Sequence, residues 1–198
     1  MINKKIAVLD LETTGLDAYG DEITEIGIVL LDGKTGDEIG SFNTMLKVKR
    51  EEFSDKNIKL TGITKEMTNE FGMDKDVVKS FLNHLLDDTV LVAHNVPFDF
   101  EFLKLHFGID PKFFYDTLSV ARCEYPELGS FTLGKLCEEF EIDLENAHRA
   151  LDDARATADL LVKMLKERPH SAKKYINTIT NGKYGIKYKP THTKEVMP

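Results

Sequence analysis

Cysteine is scarce: Cys123 and Cys137 are the only two in 198 residues. Both sit in helix-like apolar settings without the paired spacing of a zinc site, so they read as reduced core thiols rather than a disulfide framework. Long apolar runs are missing too, and nothing approaches the ~20 residues that span a bilayer. The opening Met1-Ile2-Asn3-Lys4-Lys5 runs straight into a short strand-like segment, with neither the apolar region nor the cleavage site of a signal peptide. These shortages predict a cytoplasmic protein with no membrane partner. A phosphate-binding loop is also lacking. Gly33-Lys34-Thr35 echoes the end of one, but Ile28 stands where its leading glycine is required, and the segment reads as a hairpin turn.

Basic charge is in short supply, with 26 Lys and Arg against 34 Asp and Glu, for a net charge of −8. That balance argues superficially against a polyanionic partner. Its distribution is uneven, however. The segment from Lys166 to Pro198 holds eight basic residues against Glu167 and Glu195, so the body before it carries the whole acidic excess. An acidic body can still handle a polyanion if cations fill a cluster of its carboxylates.

What is present, 41% hydrophobic and 30% charged residues, suits one globular domain with a sizeable core, or one domain and a tail. Strands are predicted over 5–11, 22–31 and 38–48, joined closely enough to be antiparallel neighbours. A helix over 74–86, a strand over 89–93, a helix over 97–107 and a short strand over 113–115 follow. Further helices are predicted over 117–124, 132–140 and 150–166. Three antiparallel strands followed by alternating helices and strands imply an α/β fold, a mixed five-stranded sheet flanked by helices. Beyond Pro169 the helical pattern fades. Residues 1–168 are therefore expected to form the domain, and 169–198 a basic, loosely ordered or partner-dependent tail.

Three segments carry chemistry. In Val8-Leu9-Asp10-Leu11-Glu12, alternation places Asp10 and Glu12 on the face shared by Ile6 and Val8, at the strand's C-terminal end. Two such acids either cap a solvated strand end or share a cation that relieves their repulsion. In His94-Asn95-Val96-Pro97-Phe98-Asp99, the chain leaves a strand and enters a helix whose first turn carries Asp99. There it either complements the helix dipole or stays ionised for a metal. In His148-Arg149-Ala150-Leu151-Asp152-Asp153, five helical residues rotate by roughly 500°, so His148 and Asp153 converge only if His148 lies on the loop before the helix. Asp153 borders the buried stripe of Leu151, Ala154, Ala158, Leu161 and Leu165, whereas Asp152 points outward.

Asp-x-Glu in the first strand, His-Asn-x-x-Phe-Asp in the middle and His-x4-Asp before the last helix resemble, in order and spacing, the three motifs of the DEDD exonuclease superfamily. The histidine five residues before the last aspartate marks its DEDDh branch. Leu60-Thr61-Gly62-Ile63-Thr64 with Met67 resembles that family's loop after the third strand. The resemblance covers residues 5–165 and is nearest to the proofreading exonucleases of bacterial DNA polymerase III, the separate epsilon subunit and the exonuclease domain of the type C polymerase.

The resemblance implies a ribonuclease H-like fold and a 3′-5′ exonuclease that hydrolyses DNA from its 3′ end, in proofreading or repair, and releases nucleoside 5′-monophosphates. It implies two Mg²⁺ (or Mn²⁺) ions held by Asp10, Glu12, Asp99 and Asp153, with Asp10 bridging both and His148 as general base. Leu11, Thr13 and Leu16 map onto residues that line the family's pocket for the 3′ nucleotide, and Asn95 and Phe98 onto residues lining the same site. Thr13, Thr14 and Gly15 can also present backbone N–H groups there. For Leu11 and Phe98 plain core packing remains an equal reading, and for His94 a structural hydrogen bond is favoured over metal ligation.

The implied partner is a single-stranded or frayed DNA 3′ end, with a DNA polymerase or DNA phosphates as the candidate contact of the basic tail. The sequence has no glutamine, so the glutamine-led sliding-clamp peptide is absent. Two other functions remain. Relatives with the same five residues trim RNA, and a degenerate, non-catalytic binding module would retain only the fold.

Overall fold

The computed structural model describes residues 2–144, 146–181, 186 and 188–197. Its centre is a five-stranded sheet built from β1 (Ile6–Thr13), β2 (Ile23–Leu31), β3 (Glu38–Met45), β4 (Val90–Ala93) and β5 (Phe114–Asp116). The strand order is β3-β2-β1-β4-β5. β1 and β2 pair antiparallel, as do β2 and β3, while β4 joins β1 and β5 joins β4 in parallel. This is the mixed sheet that the sequence predicts. The tight β2–β3 connection forms because the Asp32 carboxylate accepts the N–H groups of Lys34 and Thr35, and Gly36 takes φ 83°.

Alternation along β1 feeds two cores. Ile6 and Val8 face α5 (Thr117–Glu124), α6 (Leu133–Glu139) and α7 (Ala150–Glu167), whose Val120, Leu136, Ala154 and Leu161 are buried with them. Ala7, Leu9 and Leu11 face α3 (Lys75–Leu85) and α4 (Val96–Phe107) on the other side, among Val78, Leu82, Phe100 and Leu103. A strand buried on both faces is an apolar run without gaps, and β1 keeps that pattern until its carboxylates begin.

Two short helices, α1 (Asp55–Thr61) and α2 (Lys65–Phe71), occupy what the sequence reads as a loop. The Ser54 hydroxyl caps α1, Gly62 ends it at φ 70°, and the Thr64 hydroxyl caps α2. Each buries a single residue, Thr61 or Thr68, so neither has an apolar stripe to betray it.

The segment after residue 168 departs from the expected loose tail. It forms α8 (Ser171–Lys174), β6 (Thr178–Thr180) and β7 (Lys194–Val196), with β6 and β7 parallel. Tyr175 enters the core on the α7 side and Ile179 the core on the α4 side. Asn177 explains the docking. Its N–H and side-chain oxygen pair with the Phe114 C=O and N–H at 2.9 and 2.8 Å, and its amide nitrogen donates to the Lys112 carbonyl at 3.0 Å. The exposed edge of β5 is thereby satisfied. The basic character is partly spent inside the fold, since Lys174 pairs with Glu124 and Lys189 with Glu195. Residues 182–185, 187 and 198 of the expected tail lie outside the described residues.

Candidate active site

The site gathers where the C-terminal end of β1 meets the first turns of two helices. Glu12 is buried and Asp10 half-buried at the end of the Ile6–Val8 face. Across the sheet Asp10 stands opposite Gly27, and Glu12 opposite Glu25. Gly27 is what admits α7. A β-carbon there would lie 2.2 Å from the Ala150 carbonyl carbon and 2.3 Å from the Leu151 nitrogen. The helix therefore starts directly on the backbone of β2 and projects Asp153 from its first turn toward β1.

His148 precedes the helix on a loop, at φ 69°, and its N–H donates to the Asp153 carboxylate at 3.0 Å. The ligand atoms of Glu12, His148 and Asp153 all lie within 4.8 Å of one another. The reversal that a continuous helix forbids is made by the left-handed turn at His148.

Asp99 arrives from the opposite core. It is buried in the first turn of α4, with its charge close enough to Asp10 to raise that group. The turn into α4 depends on Asp116, whose buried carboxylate accepts the N–H groups of Asn95 and Val96 at 2.9 and 3.2 Å while capping α5 at Ser119. Asn95 can then take φ 81°, ψ 56°. His94 is fixed beside it, one ring nitrogen 2.9 Å from the Thr117 hydroxyl and the other 2.9 Å from the Phe131 carbonyl.

Electrostatics mark this cluster as under-compensated. Burial, then Asp99, Asp153, Glu12 and Glu25, push Asp10 well above the usual carboxylate range. Burial and the neighbouring Asp153 and Glu25 push Glu12 up to about 8, against the pull of Arg149. Burial also raises Asp99, opposed by hydrogen bonds from its own backbone and that of Leu11, and it raises Asp153, opposed by the His148 N–H. Glu25 behaves differently. Burial would raise it, but hydrogen bonds from Arg149, Ala150 and Asn43 hold it below its ordinary value. Arg149 is engaged by Glu25, so the other carboxylates need positive charge from outside. Clustered oxygen donors with one imidazole at the rim fit a hard divalent cation.

A cleft of about 450 Å³ opens over Asp10, Glu12, His148 and Asp153. Leu11, Thr13, Thr14, Gly15 and Phe98 line it, with Leu16 78% exposed at the rim. The hydroxyls of Thr13 and Thr14 are occupied within the turn, donating to the Gly15 carbonyl and the Asp21 carboxylate. Asn95 is not among the lining residues; it is exposed and serves the turn before α4. The far wall comes from α1 through Lys56 and Asn57, which the sequence did not single out, and Leu60, which it named only within the Leu60–Thr64 loop. Asn57 is tied to the β1 end by a 2.8 Å hydrogen bond to the Thr13 carbonyl. Glu25, Arg149 and Asp116 were missed as well. A lone acid inside the apolar stretch Ile23–Leu31 is the signal that would have found Glu25.

Residues 7–161 match the model of a family described as Exonuclease. The chain is 39% identical over 164 residues to the PolC-type DNA polymerase III of Thermotoga maritima, covering 80% of this chain and 12% of that protein. It is 38% identical over 176 residues to the Bacillus subtilis PolC-type enzyme, covering 85% and 12%. The chain thus spans about an eighth of the length of these curated relatives. In structure it resembles E. coli exonuclease I bound to a dT13 oligonucleotide, with a TM-score of 0.75 at 23% identity over 84% of this chain and 42% of that one. A 3′-exonuclease that recognises the 3′ end of a histone mRNA stem-loop superimposes with a TM-score of 0.70 at 20% identity, covering 85% and 84%.

Proposed function

From the premise that this chain belongs to the exonuclease family, as a 3′-5′ exonuclease domain with the mixed sheet and flanking helices of that fold, we propose that it removes nucleotides from the 3′ end of DNA in association with a replicative polymerase. The observation that carries this reading is the meeting of Glu12, His148 and Asp153 within 4.8 Å, beside the half-buried Asp10 and the buried Asp99. The sequence similarity to PolC-type polymerases supports proofreading of DNA over trimming of RNA. Among the described residues no helix is long and apolar enough to cross a membrane, and we place the activity in the cytoplasm with DNA.

Family members act with divalent cations, and the donor set here fits them. Asp10, Glu12, Asp99 and Asp153 would hold two Mg²⁺ or Mn²⁺ ions. When bound, the cations supply positive charge to an anionic phosphodiester and lower the pKa of water. The protein's own residues do the rest. A ring nitrogen of His148, on the exposed loop, takes the proton of the attacking water. The water oxygen bonds to phosphorus as the bond to the penultimate nucleotide's 3′ oxygen breaks, which releases a nucleoside 5′-monophosphate. Leu11, Phe98 and Leu16 offer apolar surface to the terminal base and sugar, while Thr13 and Thr14, their hydroxyls engaged, offer backbone. Lys56 on α1 extends a cation toward the strand entering the cleft.

A time course on end-labelled single-stranded DNA, duplex DNA and RNA of matched sequence, with Mg²⁺, tests the reading. Single-stranded DNA should shorten from its 3′ end to mononucleotides. Asp10→Ala should slow this by ~10³-fold or more, since several kcal/mol of charge stabilisation is lost. Faster turnover of RNA would transfer the assignment to RNA trimming, and equal rates for wild type and Asp10→Ala would refute the site.

A further inference from the structure

We propose that Glu25 and Arg149 form a clamp that positions His148 for proton transfer; this rests on the reading of His148 given above. Glu25 is 1% exposed and pairs across the sheet with Glu12, a costly place for a second carboxylate unless it has a structural task. Its two oxygens are fully engaged. The Arg149 guanidinium donates to both, at 3.1 and 2.8 Å, the Ala150 N–H donates at 3.2 Å and the Asn43 amide at 3.2 Å. The two residues that follow His148 are therefore both tied to β2, one through a planar fork and one through its backbone.

Among the described residues, His148 itself has little to hold it. It is exposed and takes a left-handed conformation, and the hydrogen bond it makes is through its N–H to Asp153. A non-glycine residue keeps such a conformation only where its surroundings over-determine it. The clamp on one side and Asp153 on the other are those surroundings. Asp153 depends on the clamp far less, because α7 is seated on Gly27 and packed along its whole buried face. Glu25 and Arg149 are thus positioning residues. Their loss should free the loop while leaving the carboxylates in place.

The test compares Glu25→Gln, Arg149→Met, Arg149→Lys and the double variant Glu25→Gln/Arg149→Met with wild type and His148→Ala. On a single-stranded oligodeoxynucleotide with Mg²⁺, kcat should fall roughly 10- to 100-fold in Glu25→Gln and Arg149→Met, as expected for a displacement of about 1 Å. KM should stay within about threefold throughout. Calorimetric Mn²⁺ affinity should do so in the double variant, which removes the two opposed charges beside Glu12 together, and the double variant should lose no more kcat than the worse single one. Arg149→Lys should recover little, since an ammonium offers no planar fork. Glu25→Gln is nearly isosteric and decides the matter should Arg149→Met fail to fold. Full rescue by lysine would replace the clamp with a simple charge effect. A raised KM at unchanged kcat would make Arg149 a substrate contact instead. If His148→Ala cripples the enzyme while both clamp variants keep wild-type kcat, the clamp alone is refuted; wild-type kcat in His148→Ala removes the reading of His148 and the clamp with it.

Discussion

Glu12 sits in an environment far from what its type prefers, and the departure has a measurable consequence. Its carboxyl is raised to about 8 by burial, then by Asp153 and Glu25. Between its ordinary value of 4.5 and about 8, the unfolded chain has released this proton while the cation-free native protein keeps it. The native state binds more protons across that window, so stability present below it is lost as pH rises through it. In EDTA, Tm should fall between pH 5 and pH 8. Added Mg²⁺ should raise Tm far more at pH 8 than at pH 5, because it compensates the ionised group. Glu12→Gln, neutral at every pH, should flatten the EDTA profile and raise Tm at pH 8. Each kcal/mol recovered corresponds to about 2–4 °C at this chain length. Scanning calorimetry at both pH values checks this, and an EDTA profile as steep in the variant as in wild type would contradict it. At this scale the sequence was informative for the acids. Asp10 and Glu12 share a face because strands alternate, and Asp99 and Asp153 sit in first helical turns. It was silent on Glu25, Arg149 and Asp116, whose partners lie 124 or about 20 positions away and follow only from sheet register.

Helices and strands reach the cleft through close backbone approaches, and Gly27 is the one that aims α7. Any side chain there meets backbone atoms of Ala150 and Leu151, which cannot rotate aside. Gly27→Ala should therefore displace the start of α7, at a cost of roughly 1–3 kcal/mol as for other overpacked sites. Because Asp153 and the loop bearing His148 move with that helix, kcat should drop by about 10²-fold even though neither side chain is altered. Steady-state kinetics beside a denaturation curve checks this; a stability loss without a loss of kcat would show that the site tolerates movement of α7. The major elements were legible because each has one clear period, the 3.6-residue stripe of α7 or the unbroken apolar run of β1. The helices α1 and α2 were not, since two turns with one buried residue apiece leave no periodic trace, and their identity lies in the caps Ser54, Gly62 and Thr64. Glycine in β2 reads as a weakness in a strand until the helix lying against it is known.

For the whole molecule, the open question in the sequence is where the domain stops. Polar residues made the stretch after Arg168 look like a tail, yet Ser171, Asn177, Thr178 and Thr180 are buried. They are buried because they complete hydrogen bonds that β5 and α5 leave open: the Ser171 hydroxyl accepts from Tyr115 at 3.0 Å, Asn177 pairs with Phe114, and the Thr180 N–H donates to Ser119 at 2.8 Å. Ser119 in turn bonds to Asp116, which holds the turn before Asp99, so this strand reaches the site through one chain of contacts. Composition cannot reveal such burial, since the same residues in water would be a loop. A chain ending at Arg168 should lose the packing of Tyr175 and Ile179, roughly 1.5–3 kcal/mol for each large side chain, and leave the hydrogen-bonding groups of Phe114, Lys112 and Ser119 exposed. Against a typical total of about 5–15 kcal/mol that is a severe loss, and kcat should fall with it as Asp116 loses its support. A chain ending at Asn181 keeps these contacts but gives up the pairing of β7 with β6 and the bonds of Thr191 to Asp110. It should melt below the full chain yet well above the shorter one, with nearly unchanged kcat on short single-stranded DNA. Comparing the two truncations by thermal melts and exonuclease rates separates the roles. If the shorter chain matched the longer in both, residues 169–181 would be a tail after all.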